Sequence, residues 1–396
     1  MIDPETIIAA LNRDPVSRTA FEAARGTGKV YLVGGYIRDL VIGRNALDRD
    51  FITEGDPAAV SAEFSRLTGC PVVRLGDERL YRCFVDKSRT VDFTALQGDL
   101  YNDLAARDFT VNSMAWSPDN GLIDLHGGLA DIEARRIRMI QESNLRDDPV
   151  RLIRAYRLSA ETGFSLDGRT RSALSRNSPL IRNAKSERIT LEFFKILNSD
   201  QAVSTIEMMF MDNVIGVLLG KENNEIDNIC NKLLEVSSFT DGIPLNIQLE
   251  MVRYSPKPLG LKGFMYLVRI LLQSEKSMLL LTRNTQKVLA GIRKAFSRKA
   301  QEKTDAIVDI FQEVDEITPF YLAAASHAEG IADYERLVAI RRSPILSTEE
   351  IQAVLGFESG REIGEAKLLL ERKTFKSEVR TPEDARRELR LYYNLT

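Results

Sequence analysis

Two acidic side chains, Asp48 and Asp50, flank Arg49 shortly after a glycine pair, Gly34-Gly35, in this 396-residue chain. Side chains two positions apart on an extended strand share a face, so the two carboxylates would point together. Divalent ions that assist in-line phosphoryl transfer need such a pair. Mg²⁺ suits it, because this ion prefers oxygen ligands and completes its shell with water and substrate phosphates. Gly34-Gly35 ends the apolar run Tyr31-Leu32-Val33 and precedes a short helical stretch with Arg38 and Asp39. Glycines there let backbone N–H groups approach an anion, and the helix N-terminus behind them favours negative charge. Either feature alone is commonplace, since a glycine pair often makes only a turn and Asp-x-Asp often decorates a solvated face. Their order and spacing make the combination informative.

A second pair, Asp148 and Arg151, lies in a helical pattern with Arg154 and Arg157. Three residues apart on a helix, Asp148 and Arg151 would share one face. One accepts hydrogen bonds and the other donates through a planar fork, so together they could read the edge of a base. The plain alternative is a surface ion pair worth under ~1 kcal/mol. Arg154 and Arg157 continue the spacing, either as a solvated face or as contacts to triphosphate or RNA backbone. Asp92 is a candidate third carboxylate, although its strand could equally turn it to water.

The elements needed to position these residues fall into two regions. Up to about residue 140, β-branched apolar runs alternate with helical patterns, as in an α+β domain. The expected strands are Val30–Val33, Asp48–Thr53, Val72–Arg74, Leu80–Val85 and Thr90–Phe93, with a helix over Ala58–Leu67. Beyond about Ile140 strand signals nearly vanish. Helical periodicity marks Val150–Thr162, Leu191–Leu197, Ala202–Met209, Ile226–Val236, Leu261–Leu272, Leu279–Phe296, Lys303–Val314 and Pro319–Ala325. Ser237–Gly242 and the prolines at 244, 256 and 258 read as loops, and a last helical region begins near Ile345. There Ser347 is a plausible helix start, with Gly356 and Gly360 as breakers.

Composition narrows the function classes. With 44% hydrophobic and 28% charged residues, the chain can bury real cores and does not read as disordered. A net charge of −3 argues against coating nucleic acid by bulk charge, yet leaves room for a local basic groove. Cys70, Cys83 and Cys230 lack metal-ligand spacing, and two histidines, His126 and His327, cannot build a His-rich metal site. No apolar run is long enough to span a membrane and no signal peptide is visible, so a cytoplasmic protein is expected.

The run Leu32-Val33-Gly34-Gly35-Tyr36-Ile37-Arg38-Asp39, with Gly43-Arg44 and Asp48-Arg49-Asp50, resembles the signature of class II CCA-adding enzymes and bacterial poly(A) polymerases. These belong to the polymerase β nucleotidyltransferase superfamily. Further segments follow in the family's order. Arg107-Asp108-Phe109-Thr110-Val111-Asn112 resembles the ribose-binding motif, with Ala106 where the family usually has a leading arginine. Asp124-Leu125-His126-Gly127-Gly128 resembles the segment closing the catalytic head. Asp147-Asp148-Pro149-Val150-Arg151 resembles the Glu-Asp-x-x-Arg motif, with Asp147 in place of glutamate. Ser186-Glu187-Arg188-Ile189 with Glu192 resembles a helix of the neck, and residues 355–384 resemble some members' tail more weakly.

The resemblance implies an α+β head over 1–140, an all-helical neck over 141–205, a body over 206–340 and an RNA-binding tail over 341–396. It implies addition of all or part of the tRNA 3′-CCA from CTP and ATP, without a nucleic-acid template and with Mg²⁺. Asp48 and Asp50 would hold metal, with Asp92 as a third catalytic carboxylate. Gly34, Gly35 and Arg38 would hold phosphates; Arg107, Asp108 and Asn112 the ribose; Asp148 and Arg151 the base; Arg154 and Arg157 triphosphate or tRNA. No protein partner is implied. A poly(A) polymerase and a catalytically inactive RNA-binding protein are the competing readings. The short segment 93–106 keeps CC-only or A-only addition open.

Overall fold

The computed structural model describes residues 4–45, 47–76, 80–220, 226–272, 274, 277–299, 308, 311–312, 318–324, 330–356 and 360–395. They form two compact units, Met1–Leu218 and Leu219–Thr396.

The first unit opens with two helices, Pro4–Arg13 and Pro15–Ala23, beyond the elements expected from periodicity. Its sheet contains β1 (Val30–Val33), β2 (Arg49–Thr53), β3 (Val72–Leu75), β4 (Leu80–Phe84), β5 (Thr90–Ala95), β6 (Met114–Ser117) and β7 (Gly121–Asp124). The spatial order is β3-β4-β5-β2-β1-β6-β7. β2 and β5 run parallel, whereas the other neighbours are antiparallel. A parallel pair needs a crossover. The Pro57–Thr68 helix and the β3–β4 pair supply it. That helix starts where the Asp56 carboxylate accepts the Ala58 N–H, with Pro57 preset for the first turn, and stops at Gly69 in the left-handed region.

Both sheet faces are covered, so β2 buries Phe51 and Ile52 in succession. One face carries Phe21, Phe51, Phe64, Phe93 and Trp116 in edge-on, tilted and stacked contact at 5.1–5.5 Å. Tyr31, Val33, Ile52, Leu104 and Ala115 form a second cluster. The segment after β7 folds around Asp131, which is fully buried. It accepts from Thr110 at 2.6 Å, Arg136 at 2.6 and 2.9 Å, and Arg138 at 2.7 Å. Burial alone would raise its pKa, but these three partners bring it below the ordinary carboxylate value. A depressed pKa gives stability that is complete at neutral pH and lost as acid titrates the group. Asp131→Asn is therefore expected to cost on the order of 2 kcal/mol near neutrality. The gap from the parent melting temperature should close below about pH 4. Equal melting temperatures at pH 7 would refute the assignment.

The rest of this unit is helical apart from a two-residue parallel pairing of 136–137 with 165–166. The Val150–Thr162 and Ser186–Leu197 helices pack together, and Leu152, Ile153, Ile189 and Phe193 on them have no exposed surface. Tyr156 donates to Asp212 at 2.9 Å, and Arg171 holds that carboxylate from the other side.

Every assigned element of the second unit is helical: Ile226–Asp241, Leu245–Val252, Leu261–Leu271, Arg283–Lys299, Thr318–Ala324, Gly330–Arg342, Thr348–Leu355, Arg361–Phe375 and Pro382–Tyr392. The loop expected over Ser237–Gly242 is instead helical to Asp241. Ser238 and Thr240 return their hydroxyls to the carbonyls of Leu234 and Val236, while Phe239 is 9% exposed, so packing outweighs weak propensity. The helix expected from Leu279 begins at Arg283. Expected helix Lys303–Val314 lies outside the described residues except at 308 and 311–312, as does residue 325. In the last helices, Ser347 with Glu350 and Thr381 with Asp384 form reciprocal capping boxes. No helix among the described residues is long and apolar enough to cross a membrane.

Candidate active site

The carboxylates meet through strand register. β2 begins at Arg49, so Asp48 lies just before the strand rather than on it as expected. Its carboxylate accepts from the Thr90 hydroxyl at 2.8 Å, and Thr90 opens β5. The two acids are brought to one place by this tether as much as by strand alternation. Asp50 is the register partner of Asp92 across β2–β5, which sets a third carboxylate beside it. Arg49, between the two acids and 5% exposed, donates to Asp14 at 2.8 Å through two nitrogens and lies over the Tyr36 ring. That anchor fixes the backbone carrying Asp48 and Asp50.

Arg82 is the register partner of Asp92 on the next strand and grips both its oxygens, at 2.8 and 2.7 Å. Asp92 is 9% exposed, whereas Asp48 and Asp50 remain open to solvent. The Asp50 carboxylate nonetheless has protein close around it, with Gly34 beside it and Asp92 across the strand pair. That crowding, together with Asp92 and Asp48, holds its carboxyl above the usual carboxylate range, opposed by Arg107 and Arg154. Unneutralised like charge around hard oxygen donors is the environment a divalent cation relieves. Among the described residues no group of three or more acidic, His or Cys side chains converges on one point as a ready cage. The donors with open oxygens are Asp48 and Asp50, because Arg82 occupies Asp92. This set fits a small cation that keeps most of its shell as water and phosphate.

The Gly34 N–H is used within the protein. Gly34 has φ 82°, and its N–H donates to the Met114 carbonyl at 3.2 Å, closing the β1–β6 edge rather than facing an anion. A Cβ on Gly34 would lie 3.2 Å from the Arg107 guanidinium and 3.4 Å from the Asp50 carboxylate. One on Gly35 would lie 3.3 Å from the Arg38 guanidinium. The glycines clear space for two arginines. Arg107 is tied to Asp103 at 3.1 Å and reaches toward Asp50. Arg38 is 6% exposed and donates to Asp39 and to the Asn112 side-chain carbonyl.

Asn112 in turn donates to Asp108 at 3.0 Å, as does the Phe109 N–H at 2.8 Å, while Arg154 reaches the other oxygen at 3.3 Å. Burial alone would raise the Asp108 carboxyl; Arg154, Asn112, the Phe109 N–H and Arg151 bring it below its ordinary value. Asp108 thus stays an acceptor, and it joins Arg38 to Arg154 in one polar chain.

Asp148 and Arg151 do not share a helix face. Asp148 ends the Glu142–Asp147 helix with φ −133° and ψ 91°, and the next helix starts at Val150. Pro149 explains the break, since the residue before proline avoids helical angles. The pair is still near, with Arg151 Nε 3.8 Å from Asp148 Oδ2. Arg151 donates to the Ala106 carbonyl at 2.7 Å, and Arg188 forks onto both Asp148 oxygens at 3.0 and 2.8 Å. Arg154 and Arg157 converge on Glu192, at 3.8 and 2.6 Å. Arg157 also pairs with Glu161 at 2.8 Å, so it is braced within the protein rather than presented on an open face. Arg82, Arg188 and Glu192 join the site only through the tertiary structure. Arg188 and Glu192 lay inside a recognisable segment; nothing along the chain tied Arg82 to Asp92.

Residues 30–79 and 78–138 match the family model described as the poly A polymerase head domain. Residues 163–223 match one described as a probable RNA and SrmB-binding site of polymerase A. A CC-adding tRNA nucleotidyltransferase of Thermus thermophilus is 28% identical, across 89% of this chain and 91% of that protein. A CC-adding tRNA nucleotidyltransferase of Synechocystis sp. is 33% identical over 54% of this chain, and the match spans about half of that protein, 52%. A CCA-adding enzyme of Bacillus subtilis is 31% identical over 53% of this chain and 56% of that protein. Among solved structures, a CCA-adding enzyme with CTP superposes with TM-score 0.79 and 21% identity, covering 100% of this chain and 99% of that one. A Thermotoga maritima CCA-adding enzyme complexed with tRNA gives TM-score 0.75 at 20% identity, covering 99% of this chain and 98% of that one.

Proposed function

We propose, from the premise that this chain belongs to the class II CCA-adding enzyme and bacterial poly(A) polymerase family, that it is a tRNA nucleotidyltransferase. It adds all or part of the 3′-terminal CCA from CTP and ATP without a nucleic-acid template. The observation that carries this reading is the gathering, within one compact unit, of open carboxylates, a preset polar chain and an acceptor–donor pair suited to a base edge. The finer division into head (1–140), neck (141–205), body (206–340) and tail (341–396), and a cytoplasmic location, belong to the same proposal.

In this reading Asp48 and Asp50 hold Mg²⁺, whose charge when bound lowers the pKa of the attacking 3′-hydroxyl and stabilises departing pyrophosphate. Asp92, held by Arg82, keeps the field around Asp50 negative. Arg107, above Gly34, meets triphosphate oxygens, and Arg38 acts through Asn112 rather than on phosphate directly. Asp108 and Asn112 orient the ribose hydroxyls. Asp148 accepts from the exocyclic amine of C or A, and Arg151 donates to the neighbouring ring nitrogen. G and U present a carbonyl where Asp148 also accepts, so both are rejected. Arg154 and Arg157, fixed on Glu192, brace this end.

The test offers tRNAs truncated before each terminal nucleotide together with each labelled nucleoside triphosphate, and sequences the products. No addition to any tRNA would overturn the proposal. CC-only addition is the narrower reading, favoured by the near full-length likeness to a CC-adding enzyme and by the short segment 93–106. Binding of tRNA should be salt-sensitive despite the net charge of −3, because phosphate contacts release counterions. With about six contacts, affinity should fall on the order of 10³-fold between 50 and 200 mM salt. A flat salt dependence in a filter-binding titration would point to a small-molecule acceptor.

A further inference from the structure

Resting on the base-selection reading above, we propose that Arg188 is a positioning residue for nucleotide choice, holding the Asp148 carboxylate as a fixed two-oxygen acceptor. Asp148 stands in the non-helical link between two helices. A short acidic side chain in such a link can rotate about two bonds, and a rotated carboxylate presents a different edge to a base. Arg188 removes that freedom. Its two terminal nitrogens take one oxygen each, at 3.0 and 2.8 Å, a fork–fork pairing that fixes the carboxylate plane. Arg151, at 3.8 Å, is beyond hydrogen-bond reach of this carboxylate and is committed to the Ala106 carbonyl.

The anchor is itself well founded. Arg188 stands in the first turn of the Ser186–Leu197 helix, whose Ile189 and Phe193 are fully buried. That helix packs directly on the one carrying Arg151, and Glu192 ties it to Arg154 and Arg157. The base-reading carboxylate is therefore indexed to the same two-helix frame as its partner arginine, although its own backbone belongs to neither helix. Two terminal nitrogens on two oxygens leave each carboxylate oxygen a further lone pair. Those remaining acceptor positions face a donor amine favourably and a carbonyl unfavourably, which is the discrimination the reaction needs. The side chain of Arg188 is 51% exposed and that of Asp148 25%, so the pair borders solvent where a nucleotide can enter.

The experiment compares full-length wild type, Arg188→Met, Arg188→Lys and Arg151→Ala on one truncated tRNA, with kcat and KM measured separately for CTP and UTP. Arg188→Met removes the fork and should lower kcat/KM for CTP about tenfold, mostly through KM, with UTP nearly unchanged. The CTP-to-UTP ratio then falls about tenfold. Arg188→Lys keeps charge but supplies a point donor rather than a fork, so its ratio should be intermediate. If Arg188→Met does not fold, the lysine variant is read on the same ratio. A parental ratio in the folded Arg188 variants, with a relaxed ratio in Arg151→Ala, would overturn the proposal alone. A parental ratio in Arg151→Ala would overturn the base-selection reading and this proposal with it.

Discussion

Asp50→Ala is expected to abolish nucleotide addition from both CTP and ATP while the first unit stays folded. Loss of a carboxylate ligand forfeits several kcal/mol of transition-state stabilisation, or at least on the order of 10³-fold in kcat. Asp48→Ala should behave the same way, since Asp48 and Asp50 have the open oxygens. The stability readout runs opposite to the activity. Asp50 is crowded beside Asp92, and its pKa is raised in the folded protein. A raised carboxyl pKa means that the charged form costs stability, a cost that grows as pH climbs above the unfolded value. In EDTA at neutral pH, Asp50→Asn should therefore melt no lower than wild type, and the difference in its favour should shrink toward pH 4. Near-normal turnover of both alanine variants with Mg²⁺ would sink the metal assignment. A marked drop in the asparagine variant's melting temperature would show that Asp50 serves the fold.

Arg151→Ala is expected to relax base choice rather than slow every nucleotide alike. Hydrogen bonds made to the right base and left unpaired by the wrong one generate large selectivity ratios. Efficiency with CTP and ATP should fall about 10²-fold, while UTP and GTP incorporation stays level or rises. Because Arg151 also bonds the Ala106 and Asn144 carbonyls, a control is needed for backbone support. Arg151→Lys supplies it, since lysine can still donate to those carbonyls but cannot form the planar fork. A uniform drop across four nucleotides in both variants would leave Arg151 a structural or phosphate-binding residue.

The sequence by itself supplied the candidates for the proposed chemistry. Asp48 with Asp50, the Arg107–Asn112 segment and Asp148 with Arg151 are local patterns of residue type and short spacing, and the roles proposed for them follow from the family resemblance those patterns carry. It also determined the sequence-adjacent elements, such as the Pro57–Thr68 helix with its Asp56 and Gly69 ends, because caps and periodicity act over a few residues. It missed β6 and β7, whose apolar residues sit in a segment with stronger motif signals, and it ended the Ile226–Asp241 helix too early. Tertiary structure alone decided what each site residue touches. Asp92 joins Asp50 because β5 pairs parallel to β2, and no local pattern announces that register. Arg82 reaches Asp92 for the same reason, from the far side of β5. Gly34 and Gly35 leave room for two guanidinium groups, since a Cβ on either would crowd residue 107 or 38. Asp148 lost its helix to Pro149 and gained Arg188 from a helix forty positions downstream. Strand register and helix packing are long-range choices driven by burying apolar faces, and side-chain partners across them follow only once those faces have met.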